Sequence, residues 1–200
     1  MVRRPVKALF RFDTNSPFAY LAATRVDDLL GPEVQWQPIA FAFLLRAQKR
    51  APWSFTEPSR SEGIAEVEAR AAARGLPPVT WPPGWPVESY SLEPVRAITA
   101  AAALGREREM ARAAFQRNFV TGEGLRSSEV VRACWAEAGM DPGDYDAALE
   151  AAKAVLTEAT QRAISEGVPG VPTVTVAGRH FWGDDRLEDA AGTAASYKPV

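Results

Sequence analysis

Apolar residues first gather in the run Ala8-Leu9-Phe10-Arg11-Phe12, and residues 7–12 predict a buried strand. Asp13-Thr14-Asn15 ends it. From Ser16 to Leu30 the apolar positions fall at helical spacing, with Phe18, Leu21, Ala22, Val26, Leu29 and Leu30 on one face. Gly31-Pro32 stops this helix. Val34-Gln35-Trp36-Gln37-Pro38 then alternates like a short strand closed by proline. The chain thus opens β-α-β, a pattern that implies a parallel pair joined by a right-handed crossover.

The middle of the chain carries a different pattern. Phe41 to Arg50 reads as helix, "APWSFTEPS" as loop, and Ser61 to Arg74 as an Ala-rich, charged helix stopped by Gly75. "LPPVTWPPGWP" is too rich in proline for a helix or a central strand. Leu92 to Leu104, Glu107 to Val120, Ser127 to Ala138 and Asp144 to Ile164 predict further helices, punctuated by glycines. No fixed-period repeat is present, which argues against a solenoid. At the end, Thr173 to Val176 and Arg179 to Trp182 flank the tight turn Ala177-Gly178, and Asp184 or Asp185 begins a last helix. The β-hairpin-α joins the opening β-α-β in an α/β fold: a four-stranded mixed sheet with a large helical insertion.

Composition narrows the function. Two hundred residues can bury a full core without a disulfide or metal staple. The net charge of -2, with both signs interspersed, argues against nucleic acid and anionic membranes as partners. No run of about eighteen apolar residues suggests a membrane span. The start "MVRRPVKALFRF" has too short an apolar stretch for a secretory signal. One cysteine, Cys134, excludes an internal disulfide and a thiolate metal cluster, so no metal is expected. A reducing, cytoplasmic compartment is the default.

The two ends together resemble the thioredoxin fold, in which a proline preceding the third strand faces the active site. Val171-Pro172 stands immediately before Thr173, and a cis bond is expected there. The long insertion resembles the DsbA-like branch. Where redox members of that branch carry Cys-x-x-Cys, this chain has Ser16-Pro17-Phe18-Ala19, so dithiol chemistry is absent. Three stretches are similar to the 2-hydroxychromene-2-carboxylate isomerases and kappa-class glutathione transferases. They are Ser16-Pro17-Phe18-Ala19-Tyr20-Leu21, Gly167 to Thr173, and Phe181-Trp182-Gly183-Asp184-Asp185-Arg186-Leu187. The segment 46–60 departs from that family. The resemblance divides the chain into a discontinuous thioredoxin-like domain, 1–40 with 151–200, and a helical insertion, 41–150.

What the resemblance implies is a thiol-dependent cis–trans isomerase acting on an aromatic or conjugated carbonyl compound, with glutathione or another low-molecular-weight thiol as cofactor. The alternatives are a transferase that conjugates glutathione and a redox-inactive binding module. A small-molecule partner is expected, and a homodimer is left open. Ser16 would donate a hydrogen bond to the borrowed thiolate, although a serine followed by proline is also a common helix start. The Val171 backbone, beside Pro172, would pair with the cysteinyl part of glutathione as a short added strand. Asp184 and Asp185 would take its γ-glutamyl end, or simply cap the last helix. Asn15, Lys49, Trp53, Phe55, Trp81 and Trp85 are candidates for the substrate pocket, with Arg50 beside Lys49 as a carboxylate partner. His180 and Cys134 read as structural.

Overall fold

Strand β1 (Ala8–Phe12) sends Ala8, Phe10 and Phe12 to one face of a sheet and Leu9 and Arg11 to the other. The computed structural model describes residues 7–197. The start of the basic N-terminal segment and the last three residues of the segment 151–200 lie outside the described residues. Strand β2 (Gln35–Pro38) pairs parallel to β1, placing Phe10 opposite Trp36 and Phe12 opposite Pro38. Strand β3 (Thr173–Val176) pairs antiparallel on the other side, with Arg11 opposite Thr173 and Ala8 opposite Val176. Strand β4 (Arg179–Trp182) follows through a two-residue turn and completes the order β2-β1-β3-β4. Ala177 and Gly178 both have positive φ, 50° and 77°, as such a hairpin turn requires.

The helices run in chain order as α1 (Pro17–Ala23), α2 (Val26–Leu30), α3 (Phe41–Ala47), α4 (Ser59–Ala73), α5 (Leu92–Ala102), α6 (Glu107–Phe115), α7 (Ser128–Glu137), α8 (Tyr145–Ser165) and α9 (Leu187–Ser196). The single helix expected from Ser16 to Leu30 is two. The Thr24 hydroxyl donates to the Leu21 carbonyl at 2.8 Å, and the Arg25 N–H turns to Ala22 instead. A side chain competing for a backbone acceptor breaks the ladder there. The helix expected over Glu107–Val120 changes pitch at Gln116–Val120, which winds as a π segment. The loop "APWSFTEPS" contains one 3₁₀ turn, Trp53–Phe55. The expected boundary between residues 150 and 151 falls inside α8, which contacts both α5 and β2.

One face of the sheet is the aromatic core. Phe10 and Phe12 stack with ring centres 5.1 Å apart, and Trp36 meets them edge-on at 5.1 and 5.5 Å. Both phenylalanines are fully buried, each worth about 1.5–3 kcal/mol of transfer energy. Helices α1, α2, α5, α6 and α9 contribute to the same core. The opposite face is polar where the sequence suggested only an interrupted apolar run. Arg11 is fully buried there. Its Nε donates to Gln37 Oε1 at 3.0 Å, its Nη1 to Thr175 Oγ1 at 3.3 Å, and its Nη2 to Glu166 Oε2 at 2.5 Å. A smaller apolar cluster, including Ile39, Leu44, Ala163 and Val171, joins α3 and α8 to the loop before β3.

Asp13 ties the end of β1 to two helix starts. It accepts from the Asn15 N–H at 2.9 Å, the Phe41 N–H at 3.0 Å and the Ser91 hydroxyl at 3.1 Å. Burial nevertheless raises its pKa above the usual carboxylate value of 3.8, outweighing these three donors. Between pH 3.8 and that raised value the folded state therefore holds a proton that the unfolded chain has released. Asp13's contribution to stability is full below pH 3.8 and declines as pH rises through its raised value. Asp13→Asn lacks this term. Urea denaturation should show the wild type losing stability relative to the variant as pH climbs above 4, and parallel pH profiles would contradict the titration.

Candidate functional site

Ser16 caps α1, its Oγ accepting the Ala19 N–H at 3.2 Å. The same oxygen lies 3.5 Å from the carbonyl oxygen of Val171, on the loop before β3. That distance is too long for a strong O–H···O bond, so the Ser16 hydroxyl hydrogen lacks a good acceptor. The Val171-Pro172 bond is cis, as expected; Glu57-Pro58 and Trp85-Pro86 are cis as well. Among the described residues no group accepts the Val171 N–H. The pairing of β1 with β3 explains the meeting: it brings the turn after Phe12 beside the loop before Thr173.

The loop 166–172 is held carbonyl by carbonyl. His180 Nε2 donates to Glu166 O at 2.9 Å, Gln48 Nε2 to Val168 O at 2.7 Å, and Arg50 Nη1 to Pro169 O at 2.8 Å. Thr173 Oγ1 donates to Gly170 O at 2.7 Å and the Gly183 N–H to Pro172 O at 3.0 Å. A carbonyl only accepts, so His180 carries its proton on Nε2, and its Nδ1 accepts from the Thr175 hydroxyl at 2.9 Å. Both ring nitrogens of His180 are thus engaged within the protein. Arg50 also lies over the Trp182 ring, 5.4 Å from its centre. Trp182 in turn rests on Gly170, where an added Cβ would come within 2.7 Å of the indole nitrogen.

The remaining expected site residues divide. Asp184 is fully buried and its two oxygens face Arg70 and Arg74 of α4. The carboxylate expected to meet a ligand's ammonium is therefore engaged inside the protein. Asp185 keeps an exposed carboxylate, 3.4 Å from Arg70 Nη2. Lys49 has φ 54° at the end of α3, is exposed and forms no ion pair among the described residues. Its neighbours Gln48 and Arg50 are the residues that reach the loop. Trp53, Trp81 and Trp85 pack on one another. Phe18 meets Trp53 at 5.7 Å, Trp53 meets Trp85 at 5.8 Å, and Trp85 meets Trp81 at 4.4 Å. Phe55 is half exposed outside this stack.

Asn15 instead borders a cavity of about 200 Å³ with Thr14, Tyr90, Asn118 and Leu125. Asn118 escaped the sequence reading because it lies in a run of helical residues with nothing to set it apart. It reaches Thr14 from the π segment, donating to the Thr14 carbonyl at 2.9 Å. Among the described residues no group of three or more His, Cys, Asp or Glu is arranged to hold a metal ion. No helix among them is long and apolar enough to cross a membrane.

The DsbA-like thioredoxin domain model matches residues 9–194. The chain belongs to the DsbA-like thioredoxin family. It is 28% identical, over 195 residues, to the 2-hydroxychromene-2-carboxylate isomerase of Sphingobium xenophagum, covering 90% of this chain and 93% of that protein. The solved structure of a 2-hydroxychromene-2-carboxylate isomerase superposes with a TM-score of 0.79 at 23% identity, covering 94% of this chain and 95% of that one. The cytosolic disulfide reductase DsbM of Pseudomonas aeruginosa, solved with GSH, superposes with a TM-score of 0.63 at 17% identity over 95% and 96% of the two chains.

The loop anchors are open to test. One hydrogen bond is worth about 0.5–1.5 kcal/mol net, so Gln48→Ala and Arg50→Ala should each speed amide exchange across 167–171 roughly two- to tenfold. Mass-spectrometric hydrogen exchange measures this. Unchanged exchange in both variants would mean that packing alone holds the loop.

Proposed function

We propose that the protein binds glutathione, or a similar low-molecular-weight thiol, along the Val171 backbone and uses it to isomerise a conjugated carbonyl compound. The observation that carries this reading is that, among the described residues, the Ser16 hydroxyl has no strong acceptor and the Val171 N–H beside it has none. The fit is chemical. A peptide backbone laid along Val171 would find a free donor and a carbonyl, as an added strand does. A sulfur anion placed near Ser16 would take the hydroxyl's hydrogen while Oγ keeps the Ala19 N–H. The 28% identity to an isomerase supports the reaction class, and a relative solved with GSH supports the ligand class.

Bound there, the thiol supplies a nucleophile that adds to a conjugated double bond and leaves again once that bond has turned. The protein's own tasks are binding and charge control. Ser16 holds the sulfur as its anion. Val171, kept in place by the anchored carbonyls around it, fixes the peptide part of the ligand. Asp185, with its exposed carboxylate, would meet the ligand's ammonium, and Asp184 holds that turn to α4 through Arg70 and Arg74. No proton is gained or lost over the cycle, so no strong general base is required.

Ser16→Ala tests the central contact. A free thiol titrates near pH 8.5, and one hydrogen bond to an anion is worth about 1.5–3 kcal/mol. The variant should therefore raise the pKa of bound glutathione by roughly one to two units, read from thiolate absorbance against pH. Superimposable titrations for wild type and variant would return Ser16 to the role of a helix cap. Asp185→Ala should weaken glutathione binding about tenfold by calorimetry with little change in melting temperature. A lower melting temperature with unchanged affinity would assign Asp185 to the fold alone.

A further inference from the structure

Arg70 faces more carboxylates than one guanidinium can neutralise. From α4 its Nη1 donates to the buried Asp184, while its Nη2 donates to Glu66 on the same helix and lies 3.4 Å from Asp185 Oδ2. The guanidinium also sits over the Phe18 ring, 5.4 Å from its centre, which places the cluster beside the first turn of α1 and its cap Ser16. Arg74 pairs with Asp184 as well. A glutamate and an arginine at i and i+4 are ordinary partners on a helix. This arginine, however, is also the one cation among the described residues within ion-pair distance of Asp185.

Two cations thus face three carboxylates, and one negative charge is left uncompensated. It falls on Asp185. That carboxylate makes the longest of these contacts, and its side chain is 56% exposed, against 50% for Glu66 and 0% for Asp184. Glu66 and Asp185 compete for the same nitrogen, Nη2, and Glu66 holds it more closely.

We propose that Glu66 is a positioning residue for the ligand site: by holding Arg70 it keeps that arginine from neutralising Asp185, and so sets how strongly the site prefers a ligand ending in an ammonium group. Glu66 acts through Arg70 and does not itself meet the ligand. Without it, Nη2 is free to close on Asp185 and compete with the visiting cation. The identity of the ligand rests on the thiol reading above; the dependence on Glu66 rests on the charge arrangement alone.

The test compares glutathione with glutaryl-cysteinylglycine, the same peptide without its ammonium. Binding is measured by calorimetry near pH 7 at about 10 mM ionic strength, where exposed charges are little screened. The wild type should bind glutathione about tenfold more tightly than the analogue. Glu66→Gln should narrow this preference to about threefold or less, mainly by weakening glutathione. In an Asp185→Asn background the preference should be small, and adding Glu66→Gln should change it no further, as expected of groups that act through one another. Glu66 is half exposed, and a melting curve establishes that its variant folds. A wild-type preference retained in Glu66→Gln overturns the proposal. So does a narrowing by Glu66→Gln that persists in the Asp185→Asn background, which would mean that Glu66 meets the ligand directly. Equal weakening of both peptides overturns it too, since a structural role would act on both. These outcomes defeat the proposal alone. Binding of neither peptide by the wild type defeats the thiol reading, and the proposal falls with it.

Discussion

A stretch of chain that is neither helix nor strand must find partners for its backbone one group at a time. The loop between α8 and β3 meets this demand by recruiting the rest of the molecule. Its carbonyls are held by His180 from β4, by Gln48 and Arg50 after α3, by Thr173 of β3 and by the Gly183 N–H. Val171 differs: among the described residues its carbonyl has only the long contact to Ser16 and its N–H has none. The loop is thus tied down on both sides of one residue whose polar groups stay available. Rigid surroundings with one unsatisfied centre are what a preorganised binding edge requires.

The polar face of the sheet belongs to the same construction. Arg11 joins β1 to Gln37 of β2, Thr175 of β3 and Glu166 at the end of α8. Glu166 is also where His180 donates, so the start of the loop is gripped through side chain and backbone alike. The Arg11 charge is fully buried while Glu166 is partly exposed. Removing the glutamate would leave an uncompensated buried guanidinium, a far larger cost than the net worth of the pair. The surface ion pairs on α4, α6 and α8 contribute little by comparison. Asp184 repeats the buried arrangement at the other end of β4, joining the insertion's α4 to the last helix.

Both ends of the chain were legible because their signals are local. Gly31-Pro32, Pro38 and Ala177-Gly178 punctuate short apolar runs, and Val171-Pro172 precedes a β-branched strand. Features that depend on side chains meeting across long separations were not. Nothing local distinguishes Arg11 as a buried hub, or Asn118 as the residue a π segment turns toward Thr14. The aromatic residues of the proline-rich loops were legible as apolar but not as to partner. Trp81 and Trp85 could line a pocket or fill a core, and their ring contacts with each other and with Trp53 show that they stack. Lys49 drew notice for its charge, while the working groups flank it. At the end of a helix a shift of one residue changes which side chain faces the loop.

The chemistry open to Ser16 follows from what lies around it. Its Oγ accepts a helix N–H, and the one histidine of the chain is committed to Thr175 and Glu166. A serine without a base to take its proton is a poor nucleophile, but it remains a good donor to an anion. The protein's own thiol cannot serve as that anion. Cys134 is buried in the aromatic core and desolvation pushes its pKa up to about 12, so it stays a thiol at neutral pH. The start of the first helix carries the Ser16 hydroxyl and no sulfur. On the proposed reading the reactive sulfur comes from outside. A serine at that position takes no part in disulfide exchange and keeps a donor for the visiting thiolate.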